Sequence, residues 1–117
     1  MPKYTGKCHC SAVTFEVEAD LTQVIECNCS HCAVKSLLLT FVPDSQFTLL
    51  SGAEISTEYR FNKKVIAHLF CKTCGVQSFG RGQDEKGNKT VAINVRCLNG
   101  VEVDMLTRTP YHGKNVE

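Results

Sequence analysis

The sequence is poor in three features that mark particular classes of protein: tryptophan, runs of like charge and long apolar stretches. Trp is absent, and thirteen Lys and Arg face twelve Asp and Glu, for a net charge of +1. Lys63-Lys64 is the densest basic pair, so the basic stripe of a nucleic-acid-binding domain is missing. The composition therefore disfavours a nucleic-acid partner.

The chain also lacks any apolar run near the roughly 18 residues that a membrane-spanning helix needs. Its first residues do not have the apolar core of a signal peptide. We therefore expect no membrane association and a cytoplasmic location, where thiols stay reduced. No pattern points to a particular oligomeric state.

The composition is that of a folded domain. Hydrophobic residues make up 43% and charged residues 21% of 117 residues, which predicts one domain over residues 1–117. A domain of this length buries roughly 65% of its unfolded surface, so its core is modest. A cross-link or a metal ion would stabilise it.

The hydrophobic pattern predicts a mainly β fold with little helix. Val13, Phe15 and Val17 alternate with polar residues, which is the period of a half-buried strand. No window longer than about ten residues has helical periodicity. Strands are predicted over residues 13–17, 37–42, 46–50, 55–61, 65–70, 76–79 and 90–95. The predicted core includes Val13, Phe15, Val17, Tyr59, Phe61, Ile66 and Ile93.

Cysteine is the abundant exception, with eight residues in three clusters and one single position. In a reducing compartment such clusters indicate metal binding rather than disulfides. The clusters are Cys8-His9-Cys10, Cys27-Asn28-Cys29-Ser30-His31-Cys32 and Cys71-Lys72-Thr73-Cys74-Gly75, and the single residue is Cys97.

The third cluster is typical of half a structural zinc site. Cys71 and Cys74 are close enough to bind one ion from a tight turn, and Gly75 supplies a residue that tolerates φ > 0. Cys8 and Cys10 provide two more thiolates. Four thiolates would close a tetrahedral zinc site and tie together a long loop.

The middle cluster offers three thiolates, at Cys27, Cys29 and Cys32. Three protein ligands leave one position open, which is the arrangement of a catalytic zinc. We therefore predict a second, more weakly bound zinc ion there, and partial occupancy is compatible with it.

Several alternatives stay open at this point. His31 or Cys97 could complete the second site, and the cysteines could instead form disulfides or hold an iron–sulfur cluster. Both zinc sites could also be closed and purely structural. The pattern favours Cys97 as a small packed residue and His68 as a surface residue.

The order of these motifs resembles the glutathione-dependent formaldehyde-activating enzyme family, to which centromere protein V also belongs. The resemblance rests on the three cysteine clusters with Gly6, Val13, Phe15, Ser51-Gly52, Tyr59, Phe61, Phe70 and Gly75, and runs from about residue 4 to about residue 105. It implies an antiparallel β-tent-like fold built around zinc.

The resemblance also implies roles for the cysteines. The first and third clusters match the family's structural zinc ligands, and the middle cluster matches its catalytic zinc ligands. The implied activity is that of a carbon–sulfur lyase, which adds a small thiol such as glutathione to formaldehyde or a related aldehyde. Ser30 or His31 could handle the product proton.

The chain departs from the family pattern after Cys32. Family members often continue with a basic residue and a glycine, whereas this chain has Ala33-Val34-Lys35-Ser36. Glutathione carries two carboxylates, so a cationic lining is expected. The candidates for that lining are Lys35, Lys72, Arg81 and Arg96, without rank.

Two other functions compete with the lyase. The first is a non-catalytic zinc-binding module for protein or nucleic-acid partners, for which the near-neutral charge speaks against nucleic acid. The second is a thiol redox or metal sensor, in which the middle cluster would oxidise reversibly.

Overall fold

The computed structural model describes residues 2–22, 24–60, 66–84 and 86–111. These residues form ten strands, one α-helix and four short 3-10 helices. The strands are β1 (Lys3–Lys7), β2 (Thr14–Glu18), β3 (Val24–Cys27), β4 (Leu39–Pro43), β5 (Phe47–Ser51), β6 (Ser56–Tyr59), β7 (Ala67–Cys71), β8 (Gln77–Gln83), β9 (Lys89–Asn94) and β10 (Arg108–Tyr111). The helix is α1 (Ser30–Lys35), and the 3-10 helices are Asp44–Gln46, Ala53–Ile55, Val95–Cys97 and Val103–Met105.

The strands form two sheets of unequal size. The small sheet has the order β1-β2-β5, and both of its pairs are antiparallel. The large sheet has the order β10-β3-β4-β9-β8-β7-β6. Its pairs are antiparallel except for β10, which runs parallel to β3 at one edge. The predicted mainly β fold with little helix is confirmed, and the parallel edge pair makes the large sheet mixed.

Three phenylalanine rings join the two sheets. The centroids of Phe15 and Phe47 on the small sheet are 5.5 Å apart, and Phe47 lies 4.8 Å from Phe79 on the large sheet. All three side chains are buried. Aromatic pairs at this separation add to the stability that burial provides, so the rings fix how the sheets face each other.

The predicted core is correct in the strand centres and wrong at one edge. Val13, Phe15, Val17 and Ile93 are at most 2% exposed. Tyr59 is 49% exposed, because β6 is the last strand of the large sheet and has no neighbour beyond it among the described residues. Ile66 is 50% exposed and lies just before the first residue of β7. Phe61, also predicted as core, lies outside the described residues.

The described helix is far too short to cross a membrane, and no other described segment forms a helix that could. The structure therefore adds no candidate membrane span to a sequence that already lacks a long apolar run.

Gly52 supports the turn that carries the first two cysteines. It follows β5 with a φ of 97°, and a Cβ placed there would lie 2.7 Å from the Ala12 carbonyl oxygen and from Val13 Cα. Ser51 Oγ donates a hydrogen bond to the same carbonyl, at 3.2 Å. Backbone therefore approaches backbone here, and only glycine leaves enough room.

We predict that Gly52→Ala lowers the free energy of unfolding by about 3 kcal/mol, from left-handed strain and overpacking together. Gly87→Ala is the matched control, because Gly87 has a φ of 85° but no atom within 4 Å of an added Cβ. The free energy of unfolding of Gly87→Ala should fall by only about 1 kcal/mol, from the left-handed strain alone. Urea unfolding of both variants measures the difference, and equal losses would show that the contact with Ala12 and Val13 is unimportant.

Candidate functional site

Two turns bring four cysteine sulfurs together. Cys8 and Cys10 lie between β1 and β2, while Cys71 ends β7 and Cys74 lies in the turn between β7 and β8. The Cys10 sulfur is 3.7 Å from that of Cys8 and 3.6 Å from that of Cys71, and all four lie within 4.8 Å of one another. A tetrahedron with Zn–S bonds of about 2.3 Å has edges of about 3.8 Å. The four-cysteine cluster therefore fits one tetrahedral zinc ion.

Backbone amides shape both turns around these sulfurs. Val13 N donates to Cys8 Sγ and Thr73 N donates to Cys71 Sγ, each at 3.3 Å. Each turn contains a residue with a left-handed φ, which is Ser11 (69°) in the first and Gly75 (79°) in the second. The predicted role of Gly75 is confirmed, and Ser11 takes the equivalent position without the freedom of a glycine.

The electrostatics of the four-cysteine cluster favour a cation. A hydrogen bond from the Val76 amide is the main cause that lowers the pKa of Cys74 to about 6. The amide of Cys74 is likewise the main influence lowering the pKa of Cys71. The Ala12 amide lowers the pKa of Cys10, but desolvation and the neighbouring thiols outweigh it and raise that pKa to about 11. Neighbouring thiols cannot all ionise unless a cation balances their charge.

The second group of sulfurs forms where a strand turns into a helix. Cys27 ends β3, Cys29 caps α1, and Cys32 lies in the first turn of α1. Cys32 N donates to Cys29 Sγ at 3.3 Å, and Cys29 N donates to Cys27 Sγ at 3.4 Å. The sulfur of Cys29 thus takes the place of the oxygen that usually caps a helix. This three-cysteine cluster also has all its sulfurs within 4.8 Å of one another.

Burial distinguishes the two ends of the three-cysteine cluster. Cys32 is 6% exposed and packs with Leu37 and Leu39, while Cys27 is only partly buried. Burial is the main cause that raises the pKa of both thiols. A positive ion would reverse this effect, because it stabilises the thiolate form.

Neither proposed additional ligand joins the three-cysteine cluster. Among the described residues, the group of potential ligands there contains only the three cysteines. The ring of His31 lies 3.9 Å from that of His68, centroid to centroid. Cys97 lies on the side of the four-cysteine cluster, with its sulfur 3.9 Å from the Gln77 carbonyl oxygen, and it packs against the main core.

His68 is not the surface residue that the alternation predicted. It is 9% exposed, and its ring and that of Tyr59 lie near the ring of His31 on α1. The helix covers this part of β7, which strand periodicity alone does not reveal. Burial, followed by the charges of His31 and Lys35, lowers the pKa of His68 to about 4.

The other end of α1 is held by Lys35. Its ammonium group donates to Gln77 Oε1 at 3.0 Å and lies 4.9 Å from the centroid of the Phe70 ring. Burial lowers the pKa of Lys35. His31 and Lys35 are four residues apart and so lie on one face of the helix. This face docks α1 onto β7 and β8 and thereby fixes the position of Cys32.

A cavity of about 390 Å³ opens beside the three-cysteine cluster. Its volume is within the range of about 300–1,000 Å³ typical of small-molecule sites. A second cavity, of about 310 Å³ beside β3 and β4, has no cysteine and no histidine in its lining. The first cavity is lined by Glu26, Cys27, Asn28, Cys32, Ala33, Ser36, Leu37, Arg96, Pro110 and Tyr111.

The chain is similar to a known protein family and to a solved structure. The model of a family described as glutathione-dependent formaldehyde-activating enzyme matches residues 3–109. A crystal structure of a Rhodobacter sphaeroides protein superposes with a TM-score of 0.80 at 31% sequence identity. The match covers 91% of this chain and 97% of that one.

We predict that the two clusters respond differently to loss of one sulfur. Cys74→Ser should leave the protein unfolded, because the four-cysteine cluster joins turns from both sheets. Cys29→Ser should stay folded and lose one zinc ion per chain, since serine also caps helices well. Metal analysis and circular dichroism of both variants beside the wild type provide the measurement. Unfolding of Cys29→Ser would contradict the division into a structural and an open site.

The low pKa of His68 predicts that stability depends on pH. An imidazole with an ordinary pKa of about 6.5 that is buried neutral stabilises the fold above pH 6.5 and loses this effect as the pH falls toward 4. We expect the wild type to lose up to about 3 kcal/mol more than His68→Phe over this interval. Urea unfolding at several pH values tests this. Protonation of the cysteine thiolates affects both proteins alike. Parallel curves of unfolding free energy against pH would therefore contradict the low pKa of His68.

Proposed function

The chain belongs to the glutathione-dependent formaldehyde-activating enzyme family, and from this we propose that it is a zinc-dependent carbon–sulfur lyase. It would add a small thiol such as glutathione to formaldehyde or a related aldehyde. The whole chain, residues 1–117, would act as one catalytic domain with two zinc ions.

The observation that carries this proposal is the combination of an incomplete ligand set with an adjoining space. Three sulfurs lie within 4.8 Å of one another, and Cys27 and Cys32 line a cavity of about 390 Å³. The four-cysteine cluster has a full tetrahedral set instead. A site with three protein ligands and an accessible cavity suits catalysis, whereas a closed set of four suits structure.

The proposed reaction needs no oxidant or further co-reactant. The thiol sulfur forms a bond with the aldehyde carbon while the carbonyl π bond breaks, and the proton of the thiol ends on the new hydroxyl oxygen. The reverse reaction breaks the carbon–sulfur bond, which is the lyase direction. A zinc ion at the three-cysteine cluster would supply Lewis acidity, which favours the thiolate form and polarises a carbonyl.

The chain's own groups prepare the site for this reaction. The amides of Cys29 and Cys32 donate to neighbouring cysteine sulfurs and hold them in one orientation. Leu37 and Leu39 pack around Cys32 and exclude water from its side of the cluster. Tyr111, at the end of β10, also lines the cavity, and its carbonyl oxygen accepts a backbone hydrogen bond from Asn28 N at 2.9 Å.

The four-cysteine cluster has a different proposed role. Cys10 and Cys71 are 61 residues apart in sequence. A zinc ion bound by the cluster would therefore restrict a long loop of the unfolded chain and stabilise a modest core. This zinc ion would take no part in the chemistry, since four cysteine ligands leave no coordination position for a substrate.

We predict that the purified protein accelerates the formation of S-hydroxymethylglutathione from glutathione and formaldehyde. Cys29→Ser should reduce the rate to the spontaneous one, because the two sulfurs that remain cannot hold the zinc ion. Cys97→Ser is the matched control and should keep most of the activity, as Cys97 lies beside the other cluster. Nuclear magnetic resonance exchange measurements give the rates.

A wild-type rate equal to that of buffer would refute the named reaction. Equal activity of Cys29→Ser and the wild type would instead show that the reaction occurs elsewhere in the protein.

A further inference from the structure

The four cations considered as substrate ligands occupy very different places. Lys35 holds α1 against Gln77 and Phe70. Arg81 pairs with Asp44 at 2.8 Å and stacks on Phe47 and Phe79. Lys72 belongs to the turn of the four-cysteine cluster. Of the four, only Arg96 lines the cavity beside the three-cysteine cluster.

Two hydrogen bonds position Arg96, one from its backbone amide and one from its side chain. It lies in the 3-10 helix Val95–Cys97, where its amide donates to Asn94 Oδ1 at 3.1 Å. Its Nε donates to the Ser36 carbonyl oxygen at 3.1 Å, just after the end of α1. Ser36 has a left-handed φ of 55°, and so the chain turns there toward Leu37. One edge of the guanidinium is therefore bound to the protein.

The remaining charge of Arg96 is not balanced within the part of the chain that the structure describes, where it forms no ion pair. The other charged residue of the cavity, Glu26, is paired with Arg108 at 3.3 Å. Arg108 also lies 3.8 Å from Asp104. The charge of Glu26 is thus balanced by Arg108, which does not line the cavity. The unbalanced charge in the cavity is the positive one of Arg96.

We propose that Arg96 binds a carboxylate of the thiol substrate, so that the site selects anionic, peptide-like thiols over neutral ones. This inference rests on the proposed function and narrows its substrate class. An arginine guanidinium matches the planar geometry of a carboxylate, and the hydrogen bonds that it donates are charge-assisted. The thiol of such a ligand would lie toward Cys27 and Cys32, and its carboxylate toward Arg96, within one cavity.

The volume agrees with a ligand of this size. About 390 Å³ leaves room for more than a two-carbon thiol. Polar groups of Asn28, Ser36 and Tyr111 line the same space and can hydrogen-bond to a peptide backbone. A neutral small thiol has no carboxylate for Arg96 and would leave its charge to water.

The test compares glutathione, its diethyl ester and 2-mercaptoethanol as thiols with the zinc-loaded protein. Arg96→Gln should raise the KM for glutathione roughly ten- to hundredfold, the size expected for one lost charge-assisted pair. Its KM for the diester and for 2-mercaptoethanol should change by less than about twofold. Arg81→Gln removes the same charge from a surface pair and should leave the preference for glutathione intact.

Ionic strength provides a second readout. The KM of the wild type for glutathione should rise with added salt, whereas that of Arg96→Gln should be nearly insensitive. If the wild type uses all three thiols equally, or if Arg96→Gln keeps the preference for glutathione, this inference is overturned and the lyase assignment stands. If the wild type accelerates no thiol addition at all, the lyase assignment fails and takes this inference with it.

Discussion

The close approach of four cysteine sulfurs is the main constraint on this fold, because they can all ionise only if a cation balances their charge. Cys8 and Cys10 come from a turn of the small sheet, and Cys71 and Cys74 from a turn of the large one. Amide hydrogen bonds aim the sulfurs at one point, at spacings close to the edges of a zinc tetrahedron. The phenylalanine rings already join the two sheets, and a metal ion at the four-cysteine cluster would add a second link that stabilises a modest core.

The helix α1 carries Cys32 and is capped by Cys29, so the position of the three-cysteine cluster depends on how α1 packs on the large sheet. The helix has six residues and would not form in isolation. Its conformation depends on the cap from Cys29 and on the contacts of His31 and Lys35 with β7 and β8. Because β8 follows directly after the turn that holds Cys74, the two clusters share one supporting sheet. The large sheet therefore connects the four-cysteine cluster to the three-cysteine cluster.

Much of this was predictable from residue order, because cysteine spacing and strand alternation are local signals. The grouping of seven cysteines into four and three, and the strands around Val17 and Ile93, follow from such signals. The strand β10 contains Pro110 and pairs parallel to β3, which no local pattern indicates. The burial of His68 and the special place of Arg96 arise from contacts with α1, a helix too short for periodicity to reveal. Long-range packing, rather than composition, decided both.

The central claim is that one cluster is closed and the other open, and X-ray absorption at the zinc edge tests it most directly. For the fully loaded protein the account predicts an average of about 3.5 sulfurs per zinc ion, from one site with four and one with three. Excess glutathione should raise the average to about 4, as its thiol completes the open site. An average of about 4 before glutathione is added, unchanged afterwards, would contradict the account.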